Sequence, residues 1–476
     1  MTERVAAGDL VIAGGTVYTP EGPREVDVQV SGGVITSLDD HRPNRSAPLA
    51  APRVLDARGM YVLPGAIDVH VHSRDPGFPE KEDFGTLTAA AAAGGVTTVI
   101  DMPNTVPAAD AAGLLEAKAA LARRKARVDF GLWGLIRSSS TAEQLAGLAA
   151  AGTIGFKAYL GYAFSRSRKQ VLPSLDPGDA DLEAPPDYGT LLRLAPAIAR
   201  LGLPLVIHAE DPGILAAFRR PFDSYDGLLA SRPPEAEAVA ISAAAAIATS
   251  TGVHVHVAHL SSAAGLRAAE TAIRAGSPLT LETCPQYLLL CDEDFPRLGA
   301  AMKMFPPVRT AGDRAALVDG LARGVIALVA TDHAPHTDGE KAKPLEEAAA
   351  GSPGVQTLYL SCLELAKRLG DVWKAPRWVC EAPAALVGLR ESKGSISPGF
   401  DADIVVVDPN RATVVRPALM RSRQRHGAMD GLECGFSIRE VYVRGELVES
   451  AGAKRGRASG RMVRPARAGK LTNPLN

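Results

Sequence analysis

Between residue 63 and about residue 390, short apolar runs alternate with Ala- and Leu-rich stretches, and many of the apolar runs end on an ionisable residue. The runs are "YVLPGAIDVHVH", "GVTTVIDM", "VDFGLWGLI", "GTIGFKAYLG", "LPLVIHAED", "GVHVHVAHLSS", "SPLTLETCPQY" and "GVIALVATDHAP". Apolar runs of strand length between helical stretches read as buried parallel strands. Such strands, each followed by a helix, predict an α/β chain closed into a (β/α)8 TIM barrel over 63–392. In that architecture chemistry sits at the carboxyl ends of the strands.

His70, His72, Lys157, His208, His259 and Asp332 all stand at such ends. Alternate side chains of a strand share a face, so His70 and His72 are expected on one face and Val69 and Val71 on the other. The same alternation sets His254 and His256 opposite His259, which reads those two as structural and His259 as a ligand. A lone histidine at a strand end is an ordinary core residue. So many ionisable groups at matching places in one repeat are not, because such groups are rarely buried unpaired.

Imidazoles with a carboxylate suit a hydrolytic site of two divalent ions, which needs a shared anionic bridge. A lysine ammonium cannot ligate. Lys157 serves only if neutral or converted by CO2 to a carbamate; otherwise it is a salt-bridging lysine on a loop.

The two ends of the chain have a different texture. "DLVIAGGTVYT", "REVDVQVSGGVITSLD" and "RVLDARGMYVLPG" are short alternating strands with Gly-rich turns, and the pattern returns in "GSISPGFDADIVVVDP" and "SIREVYVRGELVES". One β domain built from 1–62 and 393–476 around an insert is expected. A chain of 476 residues exceeds one ordinary core. Lys+Arg 52 against Asp+Glu 53 leaves a net charge of -1, which speaks against nucleic acid or an anionic membrane and for a small-molecule ligand. The 5 cysteines lack C-x-x-C spacing, which argues against a disulfide framework or a zinc finger and fits a reducing cytoplasm. With no signal-like h-region and no span-length apolar stretch, a cytoplasmic protein is expected. The connection 162–188 reads equally as an active-site lid or a surface excursion. The basic tail "AKRGRASGRMVRPARAGKLTNPLN" reads as a solvated arm.

Taken in order, "VLPGAIDVHVHSRDPGFPEKEDF", "AAAAAGGVTTVIDMPNTVP", "GFKAYLG", "HAEDP", "HVAHLSSAAGL", "LETCPQYL", "PPVR", "TDHAPHTDGEK" and "GSISPGFDADIVVVD" resemble the amidohydrolase superfamily. The likeness is to its cyclic-amide branch of dihydroorotases, allantoinases and hydantoinases, over nearly the whole chain. It implies one metal held by His70, His72, carboxylated Lys157 and Asp332, and another by Lys157, His208 and His259, with zinc the expected ion. It also implies that the termini form a small β-sandwich and that the chain is a homo-oligomer, dimer or tetramer. Such a pair of cations makes a water acidic near neutral pH. Asp332 is then placed to take its proton and pass it to the leaving amide nitrogen.

Arg74 bears on the substrate. A guanidinium can grip the dihydroorotate carboxylate through two parallel hydrogen bonds, and allantoinases usually show asparagine at this place. In dihydroorotases the same region is served by the asparagine of "MPNT" and the last histidine of "D-x-A-P-H", here Asn104 and His336. The resemblance therefore implies dihydroorotase, interconverting dihydroorotate and N-carbamoyl-aspartate in pyrimidine metabolism. Some features depart from it. Phe305 stands before the Pro-Pro pair, where dihydroorotases commonly carry a substrate-contacting asparagine. Gln286 and Gln356 replace a histidine and a glutamate often seen in the family. Tyr162 matches the spacing of a hydantoinase tyrosine that steadies an oxyanion. These favour a hydantoinase-, dihydropyrimidinase- or allantoinase-like hydrolase as the alternative. Non-catalytic scaffold homologues have typically lost metal ligands, and here every ligand position is filled.

Overall fold

Alternating sequences at the two ends of the chain join one sheet. The structure, a computed structural model, describes residues 10–41, 53–173, 178–450 and 459–466. An 8-stranded sheet runs in the order Glu446–Ser450, Ser437–Val443, Ile404–Asp408, Tyr61–Pro64, Leu10–Thr19, Gly22–Ser31, Val34–Asp40, with Arg53–Asp56 paired parallel to Leu10–Thr19. Gly32 and Gly33 join Ser31 to its partner Val34 with φ of 61° and 87°, the conformation a tight two-residue hairpin needs at both positions. Period-2 alternation splits this sheet's side chains between two cores. Val62, Ile404 and Val406 pack with Ile12, Val17, Val28 and Ile35, whereas Leu63, Val405 and Val407 join the main core of the molecule.

That main core lies over parallel strands separated by helices. Ala66–Val71, Val96–Asp101 and Asp129–Leu132 form one sheet, and Gly134–Ile136, Phe156–Tyr159, Leu205–His208, Val255–Val257, Leu279–Thr283 and Leu328–Val329 form another in sequence order. The two meet at Trp133, whose N–H donates to Asp101 O. At the far edge a parallel bridge between His333 and Val71 brings the pairing back to the first strand. The first apolar run is divided at Gly65: Tyr61–Pro64 belongs to the terminal sheet and Ala66–Val71 to the parallel set. A Cβ at Gly65 would lie 2.1 Å from Thr97 Oγ1, so the close approach of these strands requires glycine.

Helix starts follow local chemistry. Asp83, Thr141 and Thr310 accept backbone N–H groups at the starts of Phe84–Ala93, Ala142–Ala151 and Ala311–Ala322. The connection after Lys157 holds a small antiparallel sheet of Ala163–Ser165, Gln170–Leu172 and Leu182–Glu183, and Phe164 packs with Ala108, Leu135 and Tyr159 over the parallel strands. Residues 459–466 of the basic tail run along the strand at Phe130, which donates to Arg461 O and accepts from Val463 N. The rest of the tail, like the extreme N-terminus, lies outside the described residues. All five cysteines are buried free thiols, and no helix among the described residues is long and apolar enough to cross a membrane.

Candidate active site

The strand Ala66–Val71 does not keep strict alternation. Its register slips between Asp68 and Val71, and the fully buried Asp68 carboxylate fills the irregularity by accepting from His70 N at 3.2 Å and Thr331 N at 3.1 Å. His70 and His72 still come together, with ring centroids 5.5 Å apart. Val69 and Val71 do not share a face as expected: Val69 packs with Ile67, Ile100 and Val206, and Val71 with the main core.

Asp332 completes the first group. Its Oδ1 lies 3.0 Å from His72 Nε2 and 3.3 Å from His70 Nε2. The three side chains offer ligand atoms all within 4.8 Å of one another, so they could hold a metal ion. His208 and His259 form a second group, Nδ1 to Nε2 at 3.0 Å, joined to the first by a 5.2 Å approach of the His70 and His259 rings. Lys157 is not at the end of its strand as expected but is the second residue of Phe156–Tyr159, paired with Leu135 and Val206; it is fully buried, and its Nζ has no hydrogen-bond partner. His259 Nδ1 has none either.

Burial dominates the electrostatics. It pulls His72 down to about 4, takes His208 and His259 below their ordinary value, and lowers Lys157 to about 8. Neutral imidazoles and a neutral amine are the forms that can ligate or react. Burial would raise the Asp332 carboxyl, but the imidazoles of His70, His72 and His259 hold it well below the usual range.

His259 and Asp332 have φ of 40° and 49°, and Arg74 has 60°, which is uncommon for residues other than glycine. This corrects the expected placing of the histidines in "VHVHVAH". His256 pairs in register with Thr280, but the strand ends at Val257, and the left-handed turn at His259 cancels the alternation argument. His256 bonds Glu282 at 3.1 Å, and His254 bonds Thr280 Oγ1 at 2.8 Å.

Asn104 and Tyr162 contact these groups, Arg74, His336 and Phe305 adjoin them through other residues, and Gln356 does not join them. Asn104 Oδ1 accepts from His72 Nδ1 at 2.8 Å. Arg74 donates from Nε to Pro335 O at 3.3 Å, and its Nη2 lies 3.1 Å from His336 Nε2. Tyr162 stands edge-on to His208 at 4.8 Å. Phe305 takes up the Arg232 guanidinium, 3.6 Å above its ring, and Arg232 pairs with Glu210, which bonds His208 Nε2 at 2.8 Å. Gln286 bonds Thr331 O, and Gln356 ties down Leu419 and Arg421.

Glu282, Glu210 and Arg232 also belong to the site, through His70, His208 and Glu210 respectively. Glu210 and Glu282 each carried a readable signal, an acidic residue at the end of an apolar run. Arg232 belongs to a helical connection, where no pattern pointed to it.

A family model described as the amidohydrolase family matches residues 61–448. The chain is 37% identical over 447 residues to an allantoinase of Streptomyces avermitilis, covering 93% of this chain and 96% of that one. It is 32% identical over 434 residues to a dihydroorotase of Lactiplantibacillus plantarum, covering 88% and 94%. Its fold matches the L-hydantoinase (dihydropyrimidinase) from Arthrobacter aurescens with a TM-score of 0.87 at 27% identity, covering 96% of this chain and 100% of that one. The chain belongs to the amidohydrolase family, in its cyclic-amide branch.

Proposed function

We propose that this chain hydrolyses, or closes, a ring amide C–N bond with two divalent metal ions, and that its substrate carries a carboxylate, dihydroorotate interconverting with N-carbamoyl-aspartate. The donor set fits two cations. A buried ammonium without a hydrogen bond is costly, and Lys157 Nζ is one. As a carbamate the same side chain would supply an anionic oxygen ligand to such cations. His70, His72, Asp332 and carboxylated Lys157 would hold one ion, and Lys157, His208 and His259 the other. Zinc suits imidazole with carboxylate ligands. When bound, such a pair polarises an amide carbonyl and makes a water acidic near neutral pH. Asp332, held as a carboxylate against His70 and His72, accepts the proton of the attacking water and delivers it to the ring nitrogen as the C–N bond breaks. Tyr162, whose phenol is kept protonated by burial, can donate to the developing oxyanion.

Arg74 carries the substrate assignment. Its left-handed backbone and its bonds to Pro335 O and His336 hold a guanidinium two residues along the chain from His72, and in this reading that group grips the substrate carboxylate. Asn104 and His336 belong to the same recognition surface in this reading. A second reading, an uncharged hydantoin or allantoin ring, is favoured by the 37% identity to an allantoinase and by Phe305, which packs under Arg232 instead of offering a polar contact. Assaying the zinc-loaded protein against dihydroorotate, allantoin, hydantoin, 5-phenylhydantoin and dihydrouracil, with Arg74→Ala in parallel, separates them. Preference for dihydroorotate that disappears in Arg74→Ala supports the carboxylate reading. An uncharged ring that wins in both proteins overturns it.

The same reading makes the expected 63–392 unit, its start moved to Ala66 because Leu63 and Pro64 pair in the terminal sheet, a (β/α)8 barrel, and joins the chain before it to 393–476 as a β-sandwich, supported by the return of strand pairing from His333 to Val71 and by the shared terminal sheet. A cytoplasmic homo-oligomer, dimer or tetramer, completes it.

A further inference from the structure

The buried Glu282 bonds residues from both groups of the site, and among the described residues its ion-pair partners are the histidines His70 and His256. Oε1 accepts from His70 Nδ1 at 2.5 Å and from the backbone N–H of His259 at 3.2 Å, while Oε2 meets His256 Nε2 at 3.1 Å. Behind it, His256 Nδ1 lies 2.8 Å from Thr280 Oγ1 on the neighbouring strand, and the same hydroxyl is shared with His254 Nε2 at 2.8 Å. A chain of polar contacts thus runs from His254 through Thr280, His256 and Glu282 to His70.

We propose that Glu282, braced by His256, is a positioning residue that sets His70 and His259 for metal, one ligand in each of the two ion positions. The inference rests on the two-metal reading above. Two consequences of the geometry carry it. With Nδ1 committed to a carboxylate, His70 keeps its proton there, and Nε2, facing Asp332 at 3.3 Å, offers its lone pair. His259 occupies a sparsely populated left-handed conformation with φ 40°, and its N–H is anchored by the same carboxylate oxygen that orients His70. One oxygen therefore fixes the ring of one ligand and the backbone of the other. Glu210 differs: among the histidines it bonds His208 alone. This also gives a role to His256, which is not itself placed as a ligand. It occupies the second oxygen of Glu282 and keeps the carboxylate from rotating away from His70.

The test is chelator competition with zinc in the presence of bicarbonate, on the full chain, comparing wild type with Glu282→Gln and His256→Asn. Cobalt(II) absorption spectra and the melting temperature of the metal-free proteins are recorded alongside. Wild type is expected to hold two metals. Glu282→Gln should bind both about 10- to 100-fold more weakly, the usual effect of removing the partner of a ligating histidine. It should also alter the cobalt spectrum, with a smaller change in metal-free melting temperature than in the rise produced by zinc. His256→Asn should weaken both sites in the same direction by a smaller factor, and it remains informative if Glu282→Gln does not fold. Wild-type affinity for both metals in Glu282→Gln, or in His256→Asn where that variant stands alone, overturns the proposal. Weakening confined to one metal overturns the shared role. A wild type that holds no metal overturns the two-metal reading, and this inference with it.

Discussion

Two buried lysines define opposite regimes in this molecule. Lys393 sits where the terminal sheet meets the parallel strands, with Nζ 2.9 Å from Asp129, 2.9 Å from Asp401 and 2.7 Å from Asp403, and Arg444 adds a second cation on Asp129. Burial would lower its pKa, but the three carboxylates hold it above the ordinary lysine value. Lys157 is equally buried and has no hydrogen bond, and burial takes it down to about 8. A lysine surrounded by carboxylates fastens a fold. A buried lysine with no hydrogen bond, only the face of Tyr159 5.1 Å from its Nζ, is the one the proposed function converts to a carbamate.

The largest effect expected from this contrast is on catalysis. Lys157→Met should cost at least about a thousandfold in kcat/KM, as loss of a central catalytic group does, and should abolish metal retention. The metal-free variant should melt no lower than metal-free wild type. Full activity in this variant would break the comparison at once.

Next in size is stability. Lys393→Met should destabilise the fold by about 3–5 kcal/mol, because it strands buried carboxylates, while the folded fraction keeps its turnover; denaturant unfolding and active-site titration measure the two. The two lysines also predict opposite pH slopes. In metal-free protein without CO2, the folded pKa of Lys157 is below its ordinary 10.5, so its destabilisation is complete below about pH 8 and is relieved as pH rises towards 10.5. At full protonation it is worth about 3 kcal/mol relative to Lys157→Met, an order-of-magnitude figure. Lys393 has a raised folded pKa, so its contribution is complete below 10.5 and fades above it.

A smaller effect is expected at the substrate side. Arg74→Ala should raise KM for dihydroorotate about 30- to 100-fold, the scale of one charge-assisted hydrogen-bonded pair, with little change for an uncharged ring. Of similar size, Tyr162→Phe should reduce kcat by about a hundredfold, at the low end for one oxyanion donor, without altering metal content.

Much of this arrangement was legible because strand ends in a βα repeat converge. His70, His72, Lys157, His208, His259 and Asp332 could each be found as an ionisable residue closing an apolar run. Alternation failed where the backbone leaves the strand. It misplaced Val69 and Val71 because a register slip intervenes, and His254 and His256 because His259 turns left-handed. Glu282 lay in view within "LTLETC" but has meaning only once His70, more than 200 residues away, is seen against it. Arg232 over Phe305 is a contact between distant connections that no local pattern announces. The Lys393 cluster joins charges from three separated segments, and only folding reveals that they share a site.

The most direct test of the proposed bridging role of Lys157 is metal content measured together with 13C NMR, after purified protein is incubated with zinc or manganese and 13C-bicarbonate. The account predicts two metals per chain, a carbamate carbon signal absent from Lys157→Met, and hydrolysis of a cyclic amide. A wild type holding fewer than about one metal per two chains, with no carbamate signal and no hydrolysis after metal and bicarbonate are supplied, would contradict it.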